Sequence, residues 1–223
     1  MATARGPSGA PPPRLAPGAG EWLAGLWEVF SRAALGRRPG CRYYAEKVPP
    51  WLPALVARLL PCRVVHLFRH PADVYLSANA FMRARGYHGF GRASEDTDED
   101  HARGLAHRYL EYFENYRGRH LQGDDLALRY EDLVRDRAGV AARLGGDLGL
   151  TLDPAAGFEY LADHSTASSL EATVGRWRRE GLPPAVGRLL GGCLGEAVAA
   201  LGYEPVGEGS AKTSSPIRSA LLK

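Results

Sequence analysis

Apolar positions along the chain fall into two kinds of run, and their alternation predicts an α/β protein with a parallel sheet. Trp22, Leu23, Leu26, Trp27 and Phe30 recur at helical spacing within Glu21–Leu35 and stop at Gly36, which predicts a helix whose apolar face needs a sheet to cover it. Leu52, Leu55, Val56 and Leu59 repeat the pattern over Trp51–Leu60, and Pro61 ends it. Val64, Val65, Leu67 and Phe68 instead make a short, nearly continuous run, as expected for a parallel strand buried on both faces, and Arg69 is the first charge beyond it. Pro71 suits the first turn of a following helix, because its missing N–H would have no partner there, and Asp73 complements the positive helix end. A longer helix over Glu99–His120 lines up Leu105, Tyr109, Tyr112, Phe113 and Tyr116 on one side, a stripe of core type. Leu126–Tyr130 reads as a second buried strand, followed by helices over Arg137–Leu148, Pro154–Asp163 and Pro184–Leu201. Ser168 and Glu171 have the spacing of a capping box, and Asp96, Thr97 and Asp98 are natural N-caps at the end of an acidic loop.

The ends of the chain lack this patterning. Residues 1–20 are rich in Pro, Gly and Ala with almost no large apolar side chains, so they are expected to be disordered, and 206–223 read as a flexible tail. One domain over 21–205 remains. Within the tail, Gly207-Glu-Gly-Ser-Ala-Lys-Thr213 mimics a phosphate-binding loop but lacks the glycine before the lysine, and Ser214-Ser-Pro216 interrupts any helix after it. A composition of 45% hydrophobic and 24% charged residues is that of an ordinary globular protein, and a net charge of +3 is too small to imply a nucleic-acid partner. Cys41, Cys62 and Cys193 form no disulfide framework and fit a reducing compartment. No run approaches the roughly 20 apolar residues of a membrane span, so the cytoplasm is the expected location. The seven histidines, scattered from His66 to His164, have no metal-ligand spacing, and no metal is expected.

The chemistry concentrates in Arg63-Val-Val-His-Leu-Phe-Arg-His-Pro-Ala-Asp-Val-Tyr-Leu-Ser77. A guanidinium at the carboxyl end of a buried strand, with a hydroxyl eight residues later on the next helix, suits a dianionic phosphate and sits where open α/β sheets bind ligands. This segment resembles the nucleotide-binding motif of the sulfotransferase family, in which an arginine and a serine grip the 3′-phosphate of 3′-phosphoadenosine-5′-phosphosulfate. Three further segments, in the family's order, strengthen the resemblance. Tyr43-Tyr-Ala-Glu-Lys-Val-Pro49 is similar to the "Glu-Lys-Thr-Pro" segment, Leu126-Ala-Leu-Arg-Tyr-Glu-Asp-Leu133 to the "Arg-Tyr-Glu-Asp-Leu" strand end, and Val174-Gly-Arg-Trp-Arg-Arg179 to the "Gly-Arg-Trp" element.

The resemblance implies a P-loop NTPase-like three-layer fold with a parallel sheet. It implies sulfuryl transfer from 3′-phosphoadenosine-5′-phosphosulfate, as co-substrate, to a hydroxyl or amine of a small-molecule, carbohydrate or lipid acceptor. By the same resemblance Lys47 is the catalytic lysine, Arg69 and Ser77 hold the 3′-phosphate, Tyr130 packs near the adenine, and Arg176 helps to close the loop over the nucleotide. Glu21, Glu28 and Glu46 are the candidates for general base. The family's opening strand and its "Pro-Arg-Ser-Gly-Thr-Thr" loop for the 5′-phosphosulfate have no counterpart: Gly6-Pro-Ser-Gly-Ala10 follows no apolar strand, and Pro11-Pro-Pro13 stands where amide donors are needed. Leu170-Glu-Ala172 likewise replaces the cytosolic members' "Arg-Lys-Gly". The expectation is therefore a fold lacking its first strand and phosphate loop, a chain that is truncated and weakly active or inactive. The alternative is a non-catalytic 3′-phosphoadenosine-binding remnant that works as an interaction protein.

Overall fold

Residues of the apolar run form strand β1 (Val64–Phe68), and the second run forms β2 (Asp125–Arg129). The two pair in parallel, with Val64 opposite Asp125 and Phe68 opposite Arg129. Parallel neighbours need a long crossover connection, and two helices supply it here. The computed structural model describes residues 18–37, 43–48, 56, 62–120, 125–156 and 167–207. The chain divides into two units, Met1–Cys62 and Arg63–Lys223. The expected tails fall largely outside the described residues, as does the helix anticipated over Trp51–Leu60, apart from the helical Val56.

In the first unit, helix α1 (Ala19–Gly36) forms where the apolar spacing predicts it, with Arg37 closing its end through a bond to the Ala34 carbonyl. On this helix Trp22 is 67% exposed, and Val29 and Phe30 are exposed as well. An exposed Glu28–Arg32 pair one turn apart adds local support to the helix.

The second unit holds the core. Helix α2 (Pro71–Arg85) starts on its proline and ends at Gly86, whose φ of 66° places it in the left-handed conformation that lets the amide turn back to the Met82 carbonyl. Helix α3 (Asp98–His120) opens on a reciprocal cap: Thr97 Oγ1 accepts from the Asp100 amide at 3.1 Å, and the Asp100 carboxylate accepts from the Thr97 amide at 3.2 Å. The aromatic stripe is core, as its spacing implies, with Leu105, Tyr109, Phe113 and Tyr116 buried. Tyr130 opens helix α4 (Tyr130–Arg135) instead of ending β2, and α5 (Arg137–Leu148) follows, capped by the Asp136 carboxylate on the Gly139 amide. Pro154–Ala156 make a turn, and the remainder of the helix expected there lies outside the described residues. A single 3₁₀ turn (Glu171–Thr173) leads to the short α6 (Arg176–Glu180) and then α7 (Pro184–Ala200). The cap at this turn comes from Ser169, which accepts from the Ala172 amide, and not from the predicted Ser168, because a 3₁₀ turn is tighter than the α-helix a capping box starts.

α3 and α7 pack together over one face of the sheet, burying Phe68, Leu190, Leu194 and Val198. The other face of β1 is open: Val65 and Leu67 are 36% and 46% exposed, whereas the run suggests burial on both sides. His66, between them in sequence, points into the core and is fully buried, its Nε2 lying 2.7 Å from the Asp125 carboxylate on the neighbouring strand. That pair explains why β2 begins on a charged residue. We expect Asp125→Ala to destabilise the fold by about 3 kcal/mol in urea denaturation, since it removes one half of a fully buried imidazole–carboxylate pair. A loss below about 1 kcal/mol would show that the pair is not a structural tie.

Candidate functional site

The strand-to-helix junction at Arg69 and His70 is held from several sides. The Arg69 carbonyl accepts from the Tyr109 hydroxyl at 3.2 Å, and the His70 amide donates to Glu131 at 2.9 Å. Glu131 is buried, and its second oxygen accepts from the Tyr203 hydroxyl at 2.8 Å. Desolvation in this cluster, reinforced by the Glu131 charge, raises the Tyr203 and Tyr109 hydroxyls far above the ordinary phenol range, so both act as hydrogen-bond donors. The backbone at the end of β1 thus has little freedom, and the Arg69 side chain leaves from a fixed point.

That side chain lies over the Tyr130 ring, its guanidinium carbon 4.8 Å from the ring centre, and donates to the Thr173 carbonyl at 2.7 Å. Thr173 Oγ1 gives its proton to the Leu170 carbonyl, so the Tyr130 hydroxyl, 2.9 Å away, is the donor in their contact. Arg69, Tyr130 and the turn at Thr173 are therefore brought together, although they are distant in sequence. One feature of the guanidinium is unspent: Nε is buried and has no hydrogen-bond partner among the described residues.

Asp73 has a different task from the helix-end role suggested by its position in α2. It is fully buried and accepts from the amides of Gly175 and Trp177, at 2.7 and 2.8 Å. Its charge is thereby satisfied by neutral donors, and no carboxylate pairs with Arg69 among the described residues. Ser77, half-buried, lies one turn beyond Asp73 on the same face of α2, the face turned to this segment, and makes no side-chain hydrogen bond among the described residues. A cleft of about 540 Å³ lined by Tyr75, Asn79, Met82, Arg83 and Tyr87 lies elsewhere. Tyr75 is roughly 200° from Ser77 around the helix, so this cleft opens from the other side of α2.

The remaining predicted residues have partners or settings of their own. Arg176 opens α6 but pairs with Glu180 one turn later. Arg179 has no acidic partner among the described residues and donates instead to the carbonyls of Ala172 and Val174, on either side of the carbonyl that takes Arg69. Sequence reading favoured Arg176 because it sits inside the motif; the lone signal for Arg179 was a basic cluster of three. Lys47 is exposed in the irregular stretch 43–48, which belongs to the first unit. Of the candidate bases, Glu28 pairs with Arg32 and Glu46 accepts from the Tyr44 hydroxyl, whose pKa rises mainly for that reason. The described residues contain no group of three or more His, Cys, Asp or Glu able to hold a metal, and no helix long and apolar enough to cross a membrane.

Among the described residues the Arg69 guanidinium has a carbonyl and an aromatic ring as partners and no acid, a state in which it can take a phosphate-sized anion. The model of the sulfotransferase family matches residues 21–154, a stretch that includes Lys47, Arg69, Ser77 and Tyr130 but not Arg176. Among solved structures, a sulfotransferase domain from the curacin biosynthetic pathway is similar, with a TM-score of 0.53 and 17% identity over 81% of this chain and 69% of that one. At that identity the likeness is one of fold. No curated protein matches the chain.

His70 supplies a test of the junction. Its ring stacks on Trp177 at 4.9 Å, and burial lowers its pKa below 6.5, partly opposed by its contact with the Glu204 carbonyl and by the charges of Asp73 and Glu131. The folded state then favours neutral imidazole while the unfolded chain protonates near pH 6.5, so the stability present above that pH falls as pH drops through and below it. We expect His70→Gln to flatten the loss of stability between about pH 7 and 5 relative to the wild type, as read from thermal midpoints. Parallel curves for the two chains would exclude this coupling.

Proposed function

The chain belongs to the sulfotransferase family, and on that premise we propose that it binds 3′-phosphoadenosine-5′-phosphosulfate and transfers the sulfuryl group to a hydroxyl or amine of a small-molecule, carbohydrate or lipid acceptor. In this reading Arg69 and Ser77 receive the 3′-phosphate. The observation that carries it is the Arg69 guanidinium, whose buried Nε has no hydrogen-bond partner and which pairs with no carboxylate among the described residues, while the Asp73 carboxylate is taken up by amides. A buried donor left over in a folded chain costs free energy unless a ligand completes it. Tyr130, whose ring lies under the guanidinium, is assigned to the adenine, and Arg176 is assigned to the closing of the loop over the nucleotide, which requires it to leave Glu180.

Transfer forms a bond from the acceptor atom to sulfur as the sulfur–oxygen bond to the nucleotide phosphate breaks. The electron pair leaves on that phosphate oxygen, and the acceptor proton passes to a base among Glu21, Glu28 and Glu46. Lys47 is assigned to the charge that grows on the departing oxygen. Positioning and charge neutralisation supply the catalysis, and no step calls for a metal. A second reading is a protein that binds 3′-phosphoadenosine without turnover.

Calorimetry with adenosine 3′,5′-bisphosphate tests the shared premise. Arg69→Ala is expected to weaken binding by about 2 kcal/mol or more, and Ser77→Ala by about 1 kcal/mol. No measurable binding by the wild-type chain would remove both readings. Turnover of labelled donor separates them: for an active enzyme, Lys47→Ala should lower kcat by about two orders of magnitude with the bisphosphate affinity unchanged, as for loss of one oxyanion contact.

A further inference from the structure

Arg69 ends the strand side of the junction and Asp73 lies in the first turn of α2, with the non-helical His70 between strand and helix. They do not pair. Both instead grip one remote segment from different sides: Arg69 takes the Thr173 carbonyl, and Asp73 takes the amides of Gly175 and Trp177. The segment offers its carbonyls to cations and its amides to the anion. Arg179 holds the flanking carbonyls of Ala172 and Val174, so three successive carbonyls are engaged by two guanidinium groups. Gly175 makes the geometry possible with a φ of 63°, and a Cβ there would lie 3.1 Å from the Arg178 guanidinium. Asp73 is the fixed end of this arrangement, because its carboxylate is fully buried and carried on a helix whose first turn is buried with it.

We propose that Asp73 is a positioning residue for nucleotide recognition: by latching the Gly175 and Trp177 amides, it sets the Thr173 carbonyl that orients Arg69 and keeps that guanidinium free of an internal acid. This rests on the assignment of Arg69 to a 3′-phosphate. Two effects combine. Without the latch the turn at Thr173 loses its anchor, so Arg69 loses the acceptor that aims it. A carboxylate released from the amides is then an uncommitted acid on the element that follows the guanidinium. Either change lowers selectivity for a second phosphate.

The quantity to measure is the ratio of affinities for adenosine 3′,5′-bisphosphate and adenosine 5′-monophosphate, which differ by the 3′-phosphate. The wild-type chain should favour the bisphosphate by at least about tenfold, and Arg69→Ala should abolish the preference. Asp73→Asn, which keeps shape but presents an NH₂ to one of the two amides, should reduce the ratio at least about fivefold with monophosphate affinity unchanged, in a chain whose near-ultraviolet circular dichroism matches wild type. General loosening of the fold would weaken both ligands together and would count against the proposal. So would an Asp73→Asn ratio within about twofold of wild type while Arg69→Ala abolishes it. If Arg69→Ala leaves the ratio intact, the 3′-phosphate assignment itself is wrong. Should Asp73→Asn fail to fold, Gly175→Ala perturbs the same turn with the carboxylate retained, and the same fall in ratio is expected; an unchanged ratio there would overturn the latch.

Discussion

Two buried carboxylates, Asp73 and Glu131, govern the arrangement around the end of β1, because each is satisfied by neutral donors and not by a cation. Asp73 takes the amides of Gly175 and Trp177, and Glu131 takes the His70 amide and the Tyr203 hydroxyl. A carboxylate removed from water is tolerated only with such partners. By choosing amides and a phenol, the fold leaves the guanidinium at position 69 with a neutral carbonyl and an aromatic ring as neighbours. Had either acid turned to Arg69, the same residues would have formed an internal ion pair with no call on a ligand.

Local chemistry made much of the second unit legible. The Val64–Phe68 run, Pro71 at the head of α2, the Thr97 cap and the aromatic spacing of α3 each act over a few residues, and each appears where the sequence indicates. What escaped were decisions between alternatives of equal local merit. Asp73 suits a helix start whether or not its carboxylate also reaches a segment 102 residues away. Arg176 and Arg179 are indistinguishable in composition, and an acid at Glu180, one turn on, determines which of them is paired. Ser168 and Ser169 are adjacent hydroxyls separated only by whether the turn is α or 3₁₀. The outer face of β1 was misjudged because an apolar run reports the strand's composition and not what lies over it.

Family membership and geometry contribute different parts of the site. The family match ends at residue 154, short of the strap from Thr173 to Trp177. That strap is joined to the arginine motif by hydrogen bonds, from Arg69 to Thr173 and from Gly175 and Trp177 to Asp73. The cleft on the opposite side of α2 adds a negative lesson, since cavity size alone would have drawn attention to a space that Ser77 does not face.

Those long-range bonds also bear on the order in which the molecule comes into being. A ribosome delivers Arg69 and Asp73 well before their partners at positions 173, 175 and 177, which lie 102 to 104 residues downstream. Until that stretch emerges, neither the Arg69 guanidinium nor the Asp73 carboxylate has the backbone partners that hold it in the folded chain. The hold on the segment from 173 to 177 is accordingly a late product of synthesis, made only once the C-terminal part of the chain has emerged.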